Sequence, residues 1–369
     1  MDKESFRRKV FSKIELFVTR NLYQKPSFFF TLVAYPLSLL YKFLTLARNH
    51  YYSRAKKIRS KIPVICVGNI EAGGTGKSPL VKKLIADLKE SFDIGVVSTG
   101  YKSVGASRNH VISPIDKRGD FIDSCFCGDE PLMIQKMFPS IKVFVSKNRT
   151  ISINKAEKLG CDLLIFDDGF QDKKIHKDFI FLMLDYKQDL KKGRFLPYGT
   201  FRDDPRELSD ADVICLKLPF YEHESQICLD QIKKFSNAPI LVFKDRPLSL
   251  KGDKEYALEE LKNMKVALFS AIARPERFFQ TIQSLGAETL ILKSFPDHHP
   301  ITSDFLQRFT NDAKEQGASV IVCTEKDYVK VSKNFSLIPI CYLDLEVELV
   351  SEKQEYFKII QKVKNLGKK

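Results

Sequence analysis

Gly73, Gly74, Thr75, Gly76, Lys77 and Ser78 form one uninterrupted stretch, directly downstream of the short apolar run Val64–Val67. After them, Leu80, Val81, Leu84, Ile85 and Leu88 recur at helical spacing from about Pro79 to Lys89. The order is therefore buried strand, glycine-rich turn, helix. Glycines let successive backbone N–H groups converge on an anion, and a helix N-terminus favours phosphate at the same place. Lys77 adds a mobile positive charge, and the Ser78 hydroxyl suits Mg²⁺. This is the chemistry of a P-loop that holds a nucleoside triphosphate. The strict spacing asks for glycine at position 71, where this chain has Glu71.

A second set of residues fits the same chemistry. The run Leu163–Phe166 ends in Asp167-Asp168-Gly169-Phe170-Gln171. Carboxylates at the C-terminal edge of a parallel strand lie where open α/β sheets bind ligands, so Asp167 and Asp168 suit a Walker-B role on Mg²⁺. Asp129, in Gly128-Asp129-Glu130-Pro131, has two readings: the N-cap of a helix, or a base that accepts the proton of an acceptor hydroxyl. Phe295-Pro-Asp-His-His299 offers a neutral imidazole beside a carboxylate, from either His298 or His299. Thr324-Glu-Lys-Asp327 ends another strand at an edge that could face a cleft. Cys125 and Cys127 are a close pair without the second pair that a structural zinc site needs.

The elements that must position these residues alternate. Apolar strands stand at 94–98, 142–146, 163–166, 179–184 and 212–217, with helical stretches at about 129–138 and 150–160. A second series follows at 240–244, 266–271, 289–293, 319–323 and 338–343, then an amphipathic tail from 352. The pattern predicts an α/β protein with mostly parallel sheets and a P-loop NTPase-like first domain. The polar segment 245–255 marks the boundary, giving regions 1–61, 62–245 and 246–369.

The chain has 369 residues and a formal net charge of +14. Residues 1–61 alone hold 14 Lys and Arg against 3 Asp and Glu, around an apolar, aromatic-rich segment from Pro26 to Ala47. Pro36 interrupts that segment and Lys42 ends its uncharged part, so a membrane-associating helix lying in the interface is expected rather than a span. A basic nucleic-acid-binding ATPase would spread its charge over the folded surface, so nucleic acid is not expected as a partner. A P-loop GTPase switch should carry N-K-x-D, and Thr324-Glu-Lys-Asp327 lacks the Asn. No cleavable signal peptide is evident at the N-terminus, and the eight cysteines read as reduced thiols in a cytosolic compartment.

Together, VGNIEAGGTGKSP, GDEP, DDGFQ, LPYGTFRDD, RPERFF, FPDHHPIT and TEKD resemble the tetraacyldisaccharide 4'-kinase family of lipid A biosynthesis, in order from about residue 62 to 330. The resemblance implies two α/β/α domains with the site in the cleft between them, ATP and Mg²⁺ as cofactors, and a lipid A precursor disaccharide as acceptor. It also implies an enzyme on the cytoplasmic face of the bacterial inner membrane, peripheral or monotopic, with no obligate protein partner. Lys77 and Ser78 would hold phosphate and Mg²⁺, with Asp167 and Asp168 at the metal and γ-phosphate. Asp129 with one of His298 and His299 would act on the hydroxyl. Arg149, Gln171 and Arg202 would touch substrate or phosphate. The chain departs from the family where Ser98-Thr-Gly-Tyr-Lys102 replaces Ser-Arg-Gly-Tyr-Gly, where Asp172 replaces His, and where Phe201-Arg-Asp203 replaces Leu-Arg-Glu.

Overall fold

The computed structural model describes residues 26–116, 119–191, 193–218, 226–331, 337–351 and 353–367. Residues 1–25, with the N-terminal part of the basic region and the signal-peptide expectation, lie outside the described residues. Twelve strands form a single sheet in the order β10-β9-β11-β12-β7-β6-β5-β1-β4-β2-β3, with the short β8 (Tyr256–Ala257) beside β7. β1 (Val64–Asn69), β2 (Ile94–Ser98), β3 (Lys142–Val145), β4 (Leu163–Asp167), β5 (Phe179–Asp185) and β6 (Val213–Leu218) are mutually parallel. Their residues are almost all buried, as continuous apolar runs between two helical layers should be.

β7 (Ile240–Gly252) and β12 (Ile340–Leu349) place the two series relative to each other. The first five residues of β7 pair in parallel with β6, while its length from Phe243 to Gly252 pairs antiparallel with β12. The start of β12 then pairs in parallel with β11 (Val320–Thr324), which continues to β9 (Lys265–Ser270) and β10 (Glu288–Ser294). This antiparallel ribbon reverses the strand direction and offsets the second lobe along its length. Leu218, at the end of β6, lies opposite Lys244, and Thr324, at the end of β11, lies opposite Leu343 and hence near Leu250. Both sets of strand C-termini therefore point at the middle of the ribbon from opposite sides. The polar segment 245–255 is mostly strand.

Two apolar cores cover the faces of the first lobe and two cover the second. The C-terminal helix Lys353–Leu366, which the sequence division groups with the second region, packs Ile359, Ile360 and Val363 against Leu84, Leu88 and Val213 of the first lobe.

The N-terminal segment differs from its sequence expectation in one respect. Helix α1 runs unbroken from Phe28 to Arg54 with Pro36 inside it, 27 residues in all, and so is long and apolar enough to cross a membrane by length and composition. Ala34, Ser38, Thr45 and Asn49 form a buried stripe along it. Ser38 Oγ donates to the Phe195 carbonyl (2.8 Å) and Tyr41 Oη to the Arg202 carbonyl (3.2 Å). Arg48 (2.9 Å) and Asn49 (2.6 Å) donate to the Asp203 carboxylate, which is fully buried. These contacts hold the helix along the 195–203 loop and offset the proline's missing backbone bond. The stripe toward protein is small and polar, whereas Phe28, Phe29, Leu32, Leu40 and Phe43 face outward, each at least half exposed.

Candidate active site

β1 delivers the glycine-rich turn to the junction, and α2 (Lys77–Leu88) begins there with Gly76 as its N-cap. Asn69 Nδ2 donates to Thr75 Oγ1 (2.7 Å), and Gln171 Nε2 donates to the Asn69 carbonyl (2.7 Å). The P-loop is thus braced from inside and tied to the turn after β4. Gly68 is required by that tie, because a Cβ there would lie 2.4 Å from the Phe170 Cβ. Ser78 Oγ donates to Glu130 Oε1 (3.3 Å), and the Lys77 ammonium lies 3.7 Å from Asp168 Oδ1.

The two aspartates at the end of β4 differ sharply. Asp168 sits in the left-handed region (φ +52°) and receives two bonds from Arg202, at 2.7 and 3.0 Å. Burial alone would raise its pKa, but Lys77 and Arg202 hold the carboxyl well below the usual carboxylate range. Asp167 is 2% exposed and neither carboxylate oxygen has a hydrogen-bond partner. Burial, then Glu130 and Asp168, push its pKa up to about 8. A buried carboxylate with no donor is costly unless a cation completes it. Asp167 with the Ser78 hydroxyl therefore fits Mg²⁺, while the Asp168 lone pairs are engaged by Arg202. Arg149 does not point at open space: its Nη2 donates to the Asp167 (3.1 Å) and Asp168 (2.7 Å) carbonyls, and its Nη1 lies 3.7 Å from Asp172. Among the described residues no cluster of three or more His, Cys, Asp or Glu has metal-binding geometry of its own.

Across the junction, first-lobe Asp129 meets second-lobe His298. Asp129 opens helix α3 (Asp129–Met137), but the N-cap is Gly128 and no side chain caps the helix, so the capping reading does not hold. Instead Asp129 Oδ2 pairs with His298 Nδ1 (3.1 Å) and with Lys330 Nζ (2.9 Å). Burial would raise the Asp129 pKa, yet these two partners hold it below the usual value. His299 turns away and stacks on Phe295, with ring centroids 4.9 Å apart. Lys326 of the Thr324–Asp327 run is 3.0 Å from His298 Nε2, 3.2 Å from Asp297 and 3.7 Å from Glu130. Burial would lower its pKa, but Glu130, Asp297 and Asp129 hold it well above the ordinary value. Tyr101, which keeps the family's tyrosine, and Lys102, which departs from it, are also here: the Tyr101 ring lies edge-on to His298, and Lys102 donates to the Asp297 carbonyl.

A further charged cluster had only partial signals in sequence. Glu71, the residue that breaks the P-loop spacing, is fully buried under Arg274 of the second lobe (3.4 Å). Arg274 also pairs with Asp185 at the end of β5, as does Arg277 (2.5 Å). Arg274 and Arg277 belong to the RPERFF stretch, which was visible as a motif but not as an arm reaching the P-loop. Lys330 had no signal beyond its neighbours in sequence, and Glu130 was visible within the GDEP motif but not as a partner of Ser78 and Lys326.

A family model described as tetraacyldisaccharide-1-P 4'-kinase matches residues 30–364. The chain is 31% identical to a tetraacyldisaccharide 4'-kinase of Syntrophus aciditrophicus, over 91% of this chain and 94% of that one. It is 32% identical to one of Chlamydia pneumoniae, covering 85% of each. Among solved structures it is similar to LpxK from Aquifex aeolicus in complex with ATP, with a TM-score of 0.68 and 28% identity over 90% of this chain and 96% of that one.

Proposed function

The chain belongs to the tetraacyldisaccharide-1-P 4'-kinase family, and from that premise we propose how its own residues divide the reaction. It is an ATP-dependent kinase that phosphorylates the 4'-hydroxyl of the lipid A precursor disaccharide. In such a transfer the hydroxyl oxygen bonds to the γ-phosphorus as the bond to the β-phosphate oxygen breaks, and ADP leaves. Little covalent chemistry falls to the protein, so positioning and charge neutralisation dominate. The turn Gly73–Gly76 and Lys77 cradle the phosphates. Asp167 and Ser78 hold Mg²⁺, which when bound neutralises phosphate charge. Asp168 anchors Arg202 beside them, and Arg149 and Gln171 fix the turn that carries both aspartates.

Asp129 and His298 take the hydroxyl proton. The observation that carries this reading is their 3.1 Å contact across the two lobes, made through Nδ1. With the Nδ1 proton donated to Asp129, Nε2 is left as the acceptor, and the carboxylate stabilises the imidazolium that forms. The Lys326 ammonium beside Nε2 gives way to the hydroxyl, with Asp297 and Glu130 already within its reach. His299, stacked on Phe295, orders the loop. The outward apolar face of α1 seats the enzyme on the cytoplasmic surface of the inner membrane, where its acceptor resides. Region 62–245, with the C-terminal helix Lys353–Leu366 packed on it, and the rest of region 246–369 act as two lobes joined at the β7–β12 ribbon.

The test is phosphoryl transfer from radiolabelled ATP to the disaccharide monophosphate in detergent micelles. Asp129→Ala and His298→Ala should each lose kcat heavily, and the double variant should cost little more than either, because the pair acts as a unit. His299→Ala should retain most turnover. Losses that simply multiply would refute the dyad.

A further inference from the structure

Lys217 is the penultimate residue of β6, on the opposite side of the P-loop from Asp167 and Asp168, since β4 flanks β1 on one side and β5 and β6 on the other. Its backbone is fixed by pairing with Asp185 and Phe243, and its carbonyl accepts from the Tyr186 N–H (3.2 Å). Its side chain does not leave for solvent, and the residue is 8% exposed. The stem lies directly on Gly76: a Cβ built there would be 2.2 Å from Lys217 Cδ and 2.8 Å from its Nζ. Gly76 is also at φ +89°, a left-handed conformation that favours glycine, and the bare backbone leaves the room that the lysine stem occupies. The ammonium pairs at 2.8 Å with Asp245, which follows the parallel-paired start of β7 and keeps 19% of its side chain exposed.

This pair belongs to no part of the phosphoryl-transfer chemistry described above. A triphosphate in the glycine-rich turn has its γ end toward the metal carboxylate of β4, so its nucleoside must leave toward β5, β6 and β7. Lys217 and Asp245 stand on that exit, at the C-terminal strand edges where open α/β sheets bind ligands. A lysine stem laid flat on a glycine offers an apolar floor, and its head offers a cation to ribose oxygens. The Asp245 carboxylate is an acceptor suited to a ribose hydroxyl or a base N–H.

We propose that Lys217 and Asp245 form the nucleoside end of the nucleotide site, Lys217 as its floor and Asp245 as its hydrogen-bond acceptor. The inference rests on the glycine-rich turn holding the triphosphate. Lys217→Met keeps the stem and removes the charge, Lys217→Ala removes both, and Asp245→Asn removes the carboxylate charge. Each full-length variant is assayed for kcat, for KM of ATP and of the disaccharide, and for inhibition by inorganic triphosphate, which has no nucleoside. The expected result for Lys217→Ala is an ATP KM raised about tenfold or more, with kcat, disaccharide KM and triphosphate inhibition held within about threefold. Lys217→Met and Asp245→Asn should move the same constant less. An unchanged ATP KM in all three, or equal weakening of ATP and inorganic triphosphate, would overturn the assignment. If Lys217→Ala fails to fold, Lys217→Met and Asp245→Asn carry the test alone. Full turnover in Lys77→Ala would instead defeat the triphosphate reading itself, whatever happens at Lys217.

Discussion

Replacing Glu71 with glutamine isolates one buried charge in the P-loop without changing its volume. Burial pushes the Glu71 carboxyl from 4.5 up to about 7, against the pull of Arg274 and with a further push from Asp185. The folded protein therefore holds that proton more tightly than the unfolded chain. Glu71 costs the fold nothing below the ordinary carboxylate range, and its penalty grows as pH rises until it is complete above about 7. A rise from 4.5 to about 7 amounts to roughly 3 kcal/mol in total, of which about 2 kcal/mol falls between about pH 5.5 and about pH 8.5. The amide of the variant carries no such charge, so the wild type should lose about 2 kcal/mol more than Glu71→Gln over that interval. Thermal unfolding of both proteins in the same detergent measures it, and the Tm gap in favour of the variant should widen by several degrees toward high pH. A gap that stays constant or narrows would mean that Arg274 stabilises the ionised carboxylate by more than burial costs, and the reasoning would fail.

Lys77→Ala should lower kcat by about two to three orders of magnitude, the loss of roughly 3–4 kcal/mol of charge stabilisation, with the thermal unfolding profile retained; near-normal turnover would make the glycine-rich turn structural. Phe29→Asp with Phe43→Asp, on the outward face of α1, should shift the enzyme from sedimenting anionic vesicles to the supernatant while micellar activity persists, and unchanged vesicle binding would place the anchor elsewhere. Asp203→Asn keeps the shape of the group that holds Arg48 and Asn49 but weakens two bonds to a buried carboxylate, so stability should fall by about 1.5–3 kcal/mol; a neutral result in chemical unfolding would show that α1 docks without them.

The sequence by itself determined the local features. Buried parallel strands are continuous apolar runs, and segments such as 94–98 and 179–184 declare themselves because both faces of the sheet are covered. The glycine-rich turn and the Asp167-Asp168-Gly169 edge are legible because their chemistry depends on residues adjacent in the chain. The α1 helix was legible as apolar and basic but not in its extent: Pro36 breaks a free helix, and only docking on the 195–203 loop carries this one through. Tertiary structure decided everything that depends on distant segments meeting. The choice of His298 over His299 as the partner of Asp129 follows from loop geometry, with His298 at φ +61° and His299 stacked on Phe295. Glu71 reads as a flaw in a motif until Arg274 arrives from the other lobe, and Lys217 reads as the end of a strand until its stem lies on Gly76. The first two meetings depend on the β7–β12 ribbon, whose antiparallel pairing turns the strand ends of the second lobe back toward the first. The third depends on β5 lying between β1 and β6 in the sheet, and backbone pairing between strands distant in the chain leaves no local pattern in the residues that make it.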